Sequence, residues 1–500
     1  VRRIGIALLS LLALVPTGAV GSQPPEPHVT VADGTPPGKL ELVGHDNLMM
    51  RGMNAAIAVK GNYAYIGSRT DGQEQHPNAG VMVVDVSDPT APEVVNQIGP
   101  PNEGLRGETS RELRIWPQQN VLIVLNLGSN CSPEIHDCAP ENATNAPDDN
   151  YRFYDISGDN AKDPQLIGEY LPTVNPHEFF LWVDPHNPKR ALMFQSTPGG
   201  GQTQMLVTDI SKLKNDKLDA AKRFKELGKW TPGILPPDND HTDLRLHSLS
   251  VNNAGTVGYI SYLQGGFFMV NLSDFAKGKK KPEVKELTPP ANRVWWDGPG
   301  DHSAVKLWKR KYVMTTDEVY GEIPGLLPNH GCPWGWVRFV DIKDPKHPVV
   351  VSEFKLPANT QEFCDDPQSN PPDRNSGSSW SSHNPTLTKH LALLSWHSGG
   401  FQVIDTTDPT VPTQAAAYSP EPEPVVVTED PVLSSAQDKV VMWSYPIIQK
   451  GLIYVVDIRN GLYILKYTGP YDSEVSKVKF LEGNSNLGTA LKLEPVKPRR

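Results

Sequence analysis

The sequence predicts an all-β chain folded as a seven-bladed β-propeller, its ring closed by an N-terminal strand that completes the last blade. Three observations predict it. First, one apolar strand ending in most copies in Asp, Ser or Asp-Pro returns along the chain: GVMVVDVSDPTAPEVV (80–95), YRFYDISGDNAKDPQLI (151–167), MLVTDISKL (205–213), FFMVNLSDF (267–275), VRFVDIKDPKHPVVV (337–351), FQVIDTTDPTVPTQA (401–415) and LYILKY (462–467). Second, two strand-like runs precede each copy, as in NAAIAVKGNYAYIGS and HNPTLTKHLALLS, and segments such as PEVVNQI supply a fourth. Third, the last unit stops after its third strand at Tyr467, while GKLELVGHD (38–46) is a spare strand near the other end. Joining these two removes both free edges, which a tandem of β-sandwiches would not require.

The ends read differently from the repeats. Residues 1–21 resemble a secretory signal peptide, with VRR, the apolar run IGIALLSLLALV, and Ala19 and Gly21 before a cut at Ser22. The chain is therefore expected to be secreted, and the Val1 start suggests a bacterial gene with an alternative start codon. The apolar run is too short to cross a bilayer, and no later stretch reaches about 18 apolar residues, so no membrane span is expected. Residues 22–37 are expected to be a flexible mature N-terminus, 38–468 the propeller and 469–500 a C-terminal tail.

Export makes disulfides the natural reading of four cysteines. Proximity in sequence pairs Cys131 with Cys138 and leaves Cys332 for Cys364. A net charge of −10 argues against a nucleic-acid partner, and the one basic run, KGKKK (277–281), is short and lies in a connecting loop.

Aligning the seven units by their first strand exposes one register position just before the apolar run. It holds Asn54, Glu112, His177, His247, His302, His383 and Ser444. Histidine makes up 14 of 500 residues, so four histidines in seven equivalent places need a cause. The first strand of a propeller blade is innermost, which would set these side chains around one mouth of the central channel. One cause is a metal, because imidazoles from separate rigid strands form a preorganised ligand set. The other is structural, with the histidines capping the inner strands by bonds to neighbouring backbone.

Further candidates gather at the same mouth. Asp317 and Glu318 end a strand beside His302, and Glu318 is a candidate ligand or base. Glu112 shares the histidine register and is the stronger carboxylate, whereas Glu178 follows His177 and should point the opposite way on an extended strand. His397 follows a second strand at SWHSGG and would assist from further out. His390 lies in a turn at the opposite face and reads as solvent-exposed. Loops such as LGSNCSPEIHDCAPENATNAPDDN and DEVYGEIPGLLPNHGCPW are long, and they carry His136 and His330. Trp295, Trp296, Trp334 and Trp336 suit either a stacked ligand or loop packing.

The strands VMVVD, VRFVD and FQVID, with the pieces TTDE, SSHNP and SWHSGG, resemble the LVIVD-repeat proteins over about residues 38–468. That resemblance implies the propeller and leaves function open. In general plan the chain is also similar to the selenium-binding protein and methanethiol oxidase group, propellers that hold copper through histidines. Two functions are therefore expected. One is a metal-dependent oxidoreductase on a small molecule in the funnel, with His177, His247, His302 and His383 holding copper or iron, or else zinc, and with Glu112, Glu318 and His397 assisting. The other is a non-catalytic module binding an extracellular protein or glycan through the top loops.

Overall fold

Alternating apolar strands and Asp-containing turns produce antiparallel meanders throughout the computed structural model, which describes residues 26–128, 147–197, 203–233, 244–296, 300–319, 331–371, 374 and 377–487. The expected Cys131–Cys138 bridge, His136 and His330 fall outside these residues. β1 (His28–Val31) and β2 (Lys39–Asp46) come first. β3 (Asn54–Lys60), β4 (Tyr63–Ser68), β5 (Val81–Asp85) and β6 (Glu93–Ile98) form one four-stranded meander. β7 (Thr109–Trp116), β8 (Val121–Leu127), β9 (Asn150–Asp155) and β10 (Gln165–Tyr170) form the next, joined to the first by the pair Ser68 and Ser110.

The pattern continues with β11 (Glu178–Val183), β12 (Ala191–Thr197), β13 (Gln204–Asp209) and β14 (Lys225–Trp230). β15 (Ser248–Val251), β16 (Val257–Ser261), β17 (Phe267–Asn271) and β18 (Lys285–Glu286) follow. After them come β19 (Gly300–Lys306), β20 (Tyr312–Glu318), β21 (Val337–Asp341) and β22 (Val349–Lys355), and then β23 (Pro385–Leu387), β24 (Leu391–Trp396), β25 (Gly400–Asp405) and β26 (Thr413–Tyr418). β27 (Ile447–Gln449), β28 (Leu452–Asp457) and β29 (Gly461–Thr468) have β2 as their fourth strand, antiparallel to β29 with Lys39 opposite Thr468 and Asp46 opposite Leu462.

The Asp that closes the repeated third strand has a local cause. Its carboxylate accepts a hydrogen bond from the backbone N–H two residues on, at 2.8 Å for Asp85 to Ser87, 2.9 Å for Asp209 to Ser211, 2.8 Å for Asp341 to Lys343 and 2.8 Å for Asp405 to Thr407. This Asx turn stops the strand and turns the chain into the fourth one. Consecutive sheets then pack face to face. Phe180, Trp182, Leu192 and Phe194 of one sheet bury against Leu249, Ile260 and Phe268 of the next. First strands of successive sheets lie against one another in order, β27 on β3, β3 on β7, β7 on β11, β11 on β15, β15 on β19 and β19 on β23. They border an interior with one end where these strands begin and another where they finish.

Both termini depart from expectation. Residues 28–31, expected to be flexible, form β1, parallel to β22 with His28 opposite Ser352. The outer strand β22 offers unpaired backbone groups, and an extended neighbour satisfies them. Residues 469–487, expected to be a tail, include the helix Ser473–Ser476 and β30 (Phe480–Leu481), which pairs with β27. Beyond it the chain crosses the finishing end of the interior, where Leu181 donates to the Asn484 carbonyl at 3.2 Å and Val183 to Asn486 Oδ1 at 2.8 Å. His390, expected to be exposed, is half-buried against this segment, with Nδ1 2.5 Å from Glu474 and its ring stacked on Tyr471. Cys332 and Cys364 are bonded, as their pairing predicts.

Candidate metal centre

The starting end of the interior holds the histidine register. The backbone N–H of His177, His247 and His383 donates to Ser196, Ser261 and Ser395 of the neighbouring second strand, at 2.8, 3.0 and 3.0 Å. Their carbonyls are held from the side as well. Ser196 Oγ donates to the His247 carbonyl at 2.6 Å, Thr316 Oγ1 to that of His383 at 2.6 Å, and Ser248 Oγ to that of His302. His302 itself sits where the β19 and β20 register shifts between Asp301 and Ser303. Bulges of this kind re-aim a side chain. Small hydroxyl residues on adjacent strands thus fix the backbone from which each imidazole projects.

The rings form a row. Centroids of His177 and His247 lie 4.6 Å apart, His247 and His302 4.2 Å, His302 and His383 4.3 Å, and His383 and His397 4.9 Å. Glu318, at the end of β20, reaches into the middle of the row. Its Oε1 lies 3.1 Å from Nε2 of His383 and 3.8 Å from Nε2 of His397, and its Oε2 lies 3.5 Å from Nε2 of His302 and 3.7 Å from Nε2 of His247. Glu178 Oε1 approaches His302 Nε2 at 3.8 Å. Water is nearly excluded, with side-chain exposures of 1% for His302 and His383, 0% for His397 and 4% for Glu318.

Hydrogen bonds on the far side of the rings set the tautomers. Nδ1 of His383 lies 2.7 Å from the Trp443 carbonyl, which only accepts, so Nδ1 carries the proton. Nδ1 of His397 meets Ser379 Oγ at 2.9 Å, and that hydroxyl gives its own hydrogen to the Val319 carbonyl, so Nδ1 is again the donor. Nδ1 of His302 meets Ser303 Oγ at 2.8 Å. The neutral ring of His383 and that of His397 therefore turn an Nε2 lone pair toward the carboxylate. Nε2 of His302 and of His383 and Oε1 of Glu318 are buried without a directed hydrogen bond. Facing acceptors in a dry site repel unless a cation lies between them.

Protonation fits that picture. Burial, reinforced by neighbouring imidazoles, holds His177, His302 and His397 well below the usual histidine range, so they are neutral. Burial alone would raise Glu318, and only positive charge on the facing side, such as protonated His302, His383 and His247 would carry, holds the carboxyl well below its usual range; a cation bound between them would supply that charge while the rings stay neutral. Glu178 is pushed well above, by burial and then by Glu112.

The spacing matches ligands of an ion. Two donors bound tetrahedrally at about 2.0–2.1 Å lie roughly 3.3 Å apart, and the four contacts of Glu318 with the histidines bracket that value. Donor atoms within 4.8 Å of one another fall into the groups His177, Glu178 and His247; His247, His302 and Glu318; and Glu318, His383 and His397. These residues fit a metal on the chemistry of the donor set.

The sequence-derived candidates are distributed as follows. His177, His247, His302, His383, His397 and Glu318 come together in these groups. His397 was expected further out, yet its Nε2 stands as near Glu318 as that of His247 does. Glu112 belongs to none of the groups. Arg114, two residues along and so on the same face of β7, takes it at 2.9 Å, although Glu112 lines the same cavity as His177, Glu178, His247 and His302. Glu178 was expected to point away, but alternation holds within the pleat of β11 and His177 precedes it, so both side chains turn inward. Asp317, next to Glu318, is pushed up to about 7 by burial against Arg338 and receives Trp296 Nε1 at 3.1 Å. Trp443 had no signal in the sequence. Its ring lies 3.9 Å from that of His383 and stacks on His397 at 5.2 Å, with the Arg69 guanidinium 4.6 Å from its centroid.

Comparison with known proteins adds the following. Solved structures similar to this chain include the crystal structure of Sqt1 from Chaetomium thermophilum, with a TM-score of 0.44 and 11% identity over 85% of this chain and 86% of that one. A second Sqt1 structure from the same organism has a TM-score of 0.45 and 13% identity over 85% and 86%. Sqt1 bound to the N-terminus of ribosomal protein L10 has a TM-score of 0.44 and 11% identity over 85% and 89%. No curated protein matches. The family model of the LVIVD repeat matches residues 51–98, which hold β3 to β6, so one complete four-stranded meander of this chain is an LVIVD repeat.

Proposed function

We propose that this chain is a secreted, seven-bladed propeller over residues 38–468, closed by β2 against β29, which binds a transition metal and acts as a metal-dependent oxidoreductase on a small molecule. The observation that carries the reading is the pair of buried Nε2 atoms, of His302 and of His383, that face the two oxygens of Glu318 without a directed hydrogen bond. Neutral imidazoles favour copper, iron or zinc over magnesium or calcium. Copper or iron would supply electron transfer to the bound small molecule. The chain's own part is to hold His383 and His397 in one tautomer, to place His247 and His302 beside them and to exclude water. Strand order supports the ring, since the first strands from β3 to β23 rest on one another in order and β27 rests on β3.

The test uses full-length protein purified without a histidine tag, stripped of metal, exposed in turn to Cu²⁺, Fe²⁺ and Zn²⁺, desalted and analysed for metal. Retention near one ion or more per chain, lost in a His302→Ala/His383→Ala variant, is the expected result. Wild-type protein that retains none of the three ions overturns the metal reading. Stoichiometric copper or iron with no dioxygen uptake in the presence of small alcohols, thiols or phenols overturns the oxidoreductase part alone.

A further inference from the structure

We propose that the centre takes two metal ions bridged by the carboxylate of Glu318; this rests on the metal reading above and goes beyond it in number and arrangement. The two oxygens of Glu318 do not share their partners. Oε1 faces His383 and His397, at 3.1 and 3.8 Å, whereas Oε2 faces His302 and His247, at 3.5 and 3.7 Å. Besides His177, Glu178 and His247, donors within 4.8 Å of one another form one group of His247, His302 and Glu318 and another of Glu318, His383 and His397. The latter two groups have Glu318 in common and no histidine.

One ion does not satisfy this arrangement. Ligands on a single first-row ion, even when opposite one another, are separated by about 4.2 Å at most, twice a bond of roughly 2.1 Å. No group of donors within 4.8 Å of one another joins His247 or His302 to His383 or His397, and the imidazoles run in a row, with ring centroids 4.2, 4.3 and 4.9 Å apart from His247 through His302 and His383 to His397. A row follows from the architecture, because His247, His302 and His383 come from successive sheets and are displaced by the spacing of their first strands. An ion centred on one pair leaves the buried Nε2 of His302 or of His383 facing a carboxylate oxygen without a directed hydrogen bond. Two ions satisfy both, and a carboxylate spans the roughly 3.5–4 Å separation usual in two-metal sites.

Charge and supply of ligands agree. The ion held by His247, His302 and Oε2 has Glu178 within reach, since Glu178 Oε1 is 3.8 Å from His302 Nε2 and groups with His177 and His247. Glu318, together with Glu178 once an ion displaces its proton, supplies two negative charges against the two cations. The chemical class taken is a pair of nitrogen-preferring first-row ions such as copper or iron.

The experiment titrates metal-free, tagless, full-length protein with Cu²⁺, measures bound copper after desalting, and counts spins by electron paramagnetic resonance. Two coppers per chain are expected, with a spin count well below the copper count because carboxylate-bridged ions couple. A His383→Ala/His397→Ala variant and a His247→Ala/His302→Ala variant should each keep one copper with a full spin count. One copper in the wild type overturns the two-ion proposal and leaves the metal site standing, whereas none overturns both. Two coppers with a full spin count overturn the bridge. If either variant fails to fold, as judged by its circular dichroism melt, wild-type stoichiometry and spin count decide alone.

Discussion

Asn54 and Ser444 occupy the same register position as His302 and His383, one strand-start each, yet they finish in opposite states. Asn54 accepts from Arg51 Nε at 2.6 Å and donates to the Ile458 carbonyl at 3.0 Å, and Ser444 Oγ accepts from Val456 N–H at 2.9 Å. These two side chains cap backbone and nothing remains over. His383 does the capping as well, through Nδ1 to the Trp443 carbonyl, but its second nitrogen faces Glu318. An imidazole has one more ring nitrogen than a cap requires, set on the opposite edge. Both causes weighed for the histidine register are therefore true together, because the structural bond fixes the tautomer that presents the other nitrogen. Glu112 stands between the two cases, in the register but engaged by Arg114.

The comparison breaks first at Glu318. Glu318→Ala should weaken Cu²⁺ or Zn²⁺ binding by about a thousandfold, close to 4 kcal/mol, in a chelator competition assay, while the unfolding midpoint hardly moves; unchanged affinity would mean that the histidines act without it. Asn54→Ala should do the reverse. It leaves the buried Arg51 Nε–H without its acceptor and should cost about 2 kcal/mol in denaturant unfolding, with metal affinity intact.

Glu482 extends the contrast to the finishing end of the interior. Burial raises its carboxyl to about 7, against Ser485 and Arg114, from an ordinary value of 4.5. The folded state therefore holds its proton to higher pH than the unfolded state does. Stability from this group is complete below about 4.5, falls as pH rises toward 7 and is flat above. Glu482→Gln should remove that slope, so the variant's melting temperature should gain on the wild type between pH 5 and 8; parallel curves would refute the assignment. Ser444→Ala should show the smallest change, about 1 kcal/mol for one lost bond to backbone, and none in metal content.

How much was legible from the sequence depends on the range of the interaction. The Asp at the end of each third strand bonds to the residue two positions on, so the repeat is visible in any single copy. The histidine register is visible because every unit repeats the same strand start. Glu318 was within reach through its position opposite Gly300, beside His302, in a hairpin. The inward turn of Glu178, the depth of His397 and the engagement of Glu112 by Arg114 were not, since each turns on where one side chain is aimed after packing. β1 and residues 482–487 escaped for a related reason: they follow no repeat and are held by partners hundreds of positions away, as Asn486 is by Val183.

By itself the sequence determined the strand periodicity, the turns that end the third strands and the placing of histidines at equivalent strand starts, all of them local patterns read over a few residues. Only the tertiary structure decided that imidazoles from position 247 to position 397 converge on one carboxylate, which nitrogen of each is left over, and that the finishing end is closed by the chain's own later residues. The physical reason is that tautomer and convergence follow from hydrogen bonds and ring contacts between separate sheets, and no local pattern specifies the distance between those sheets.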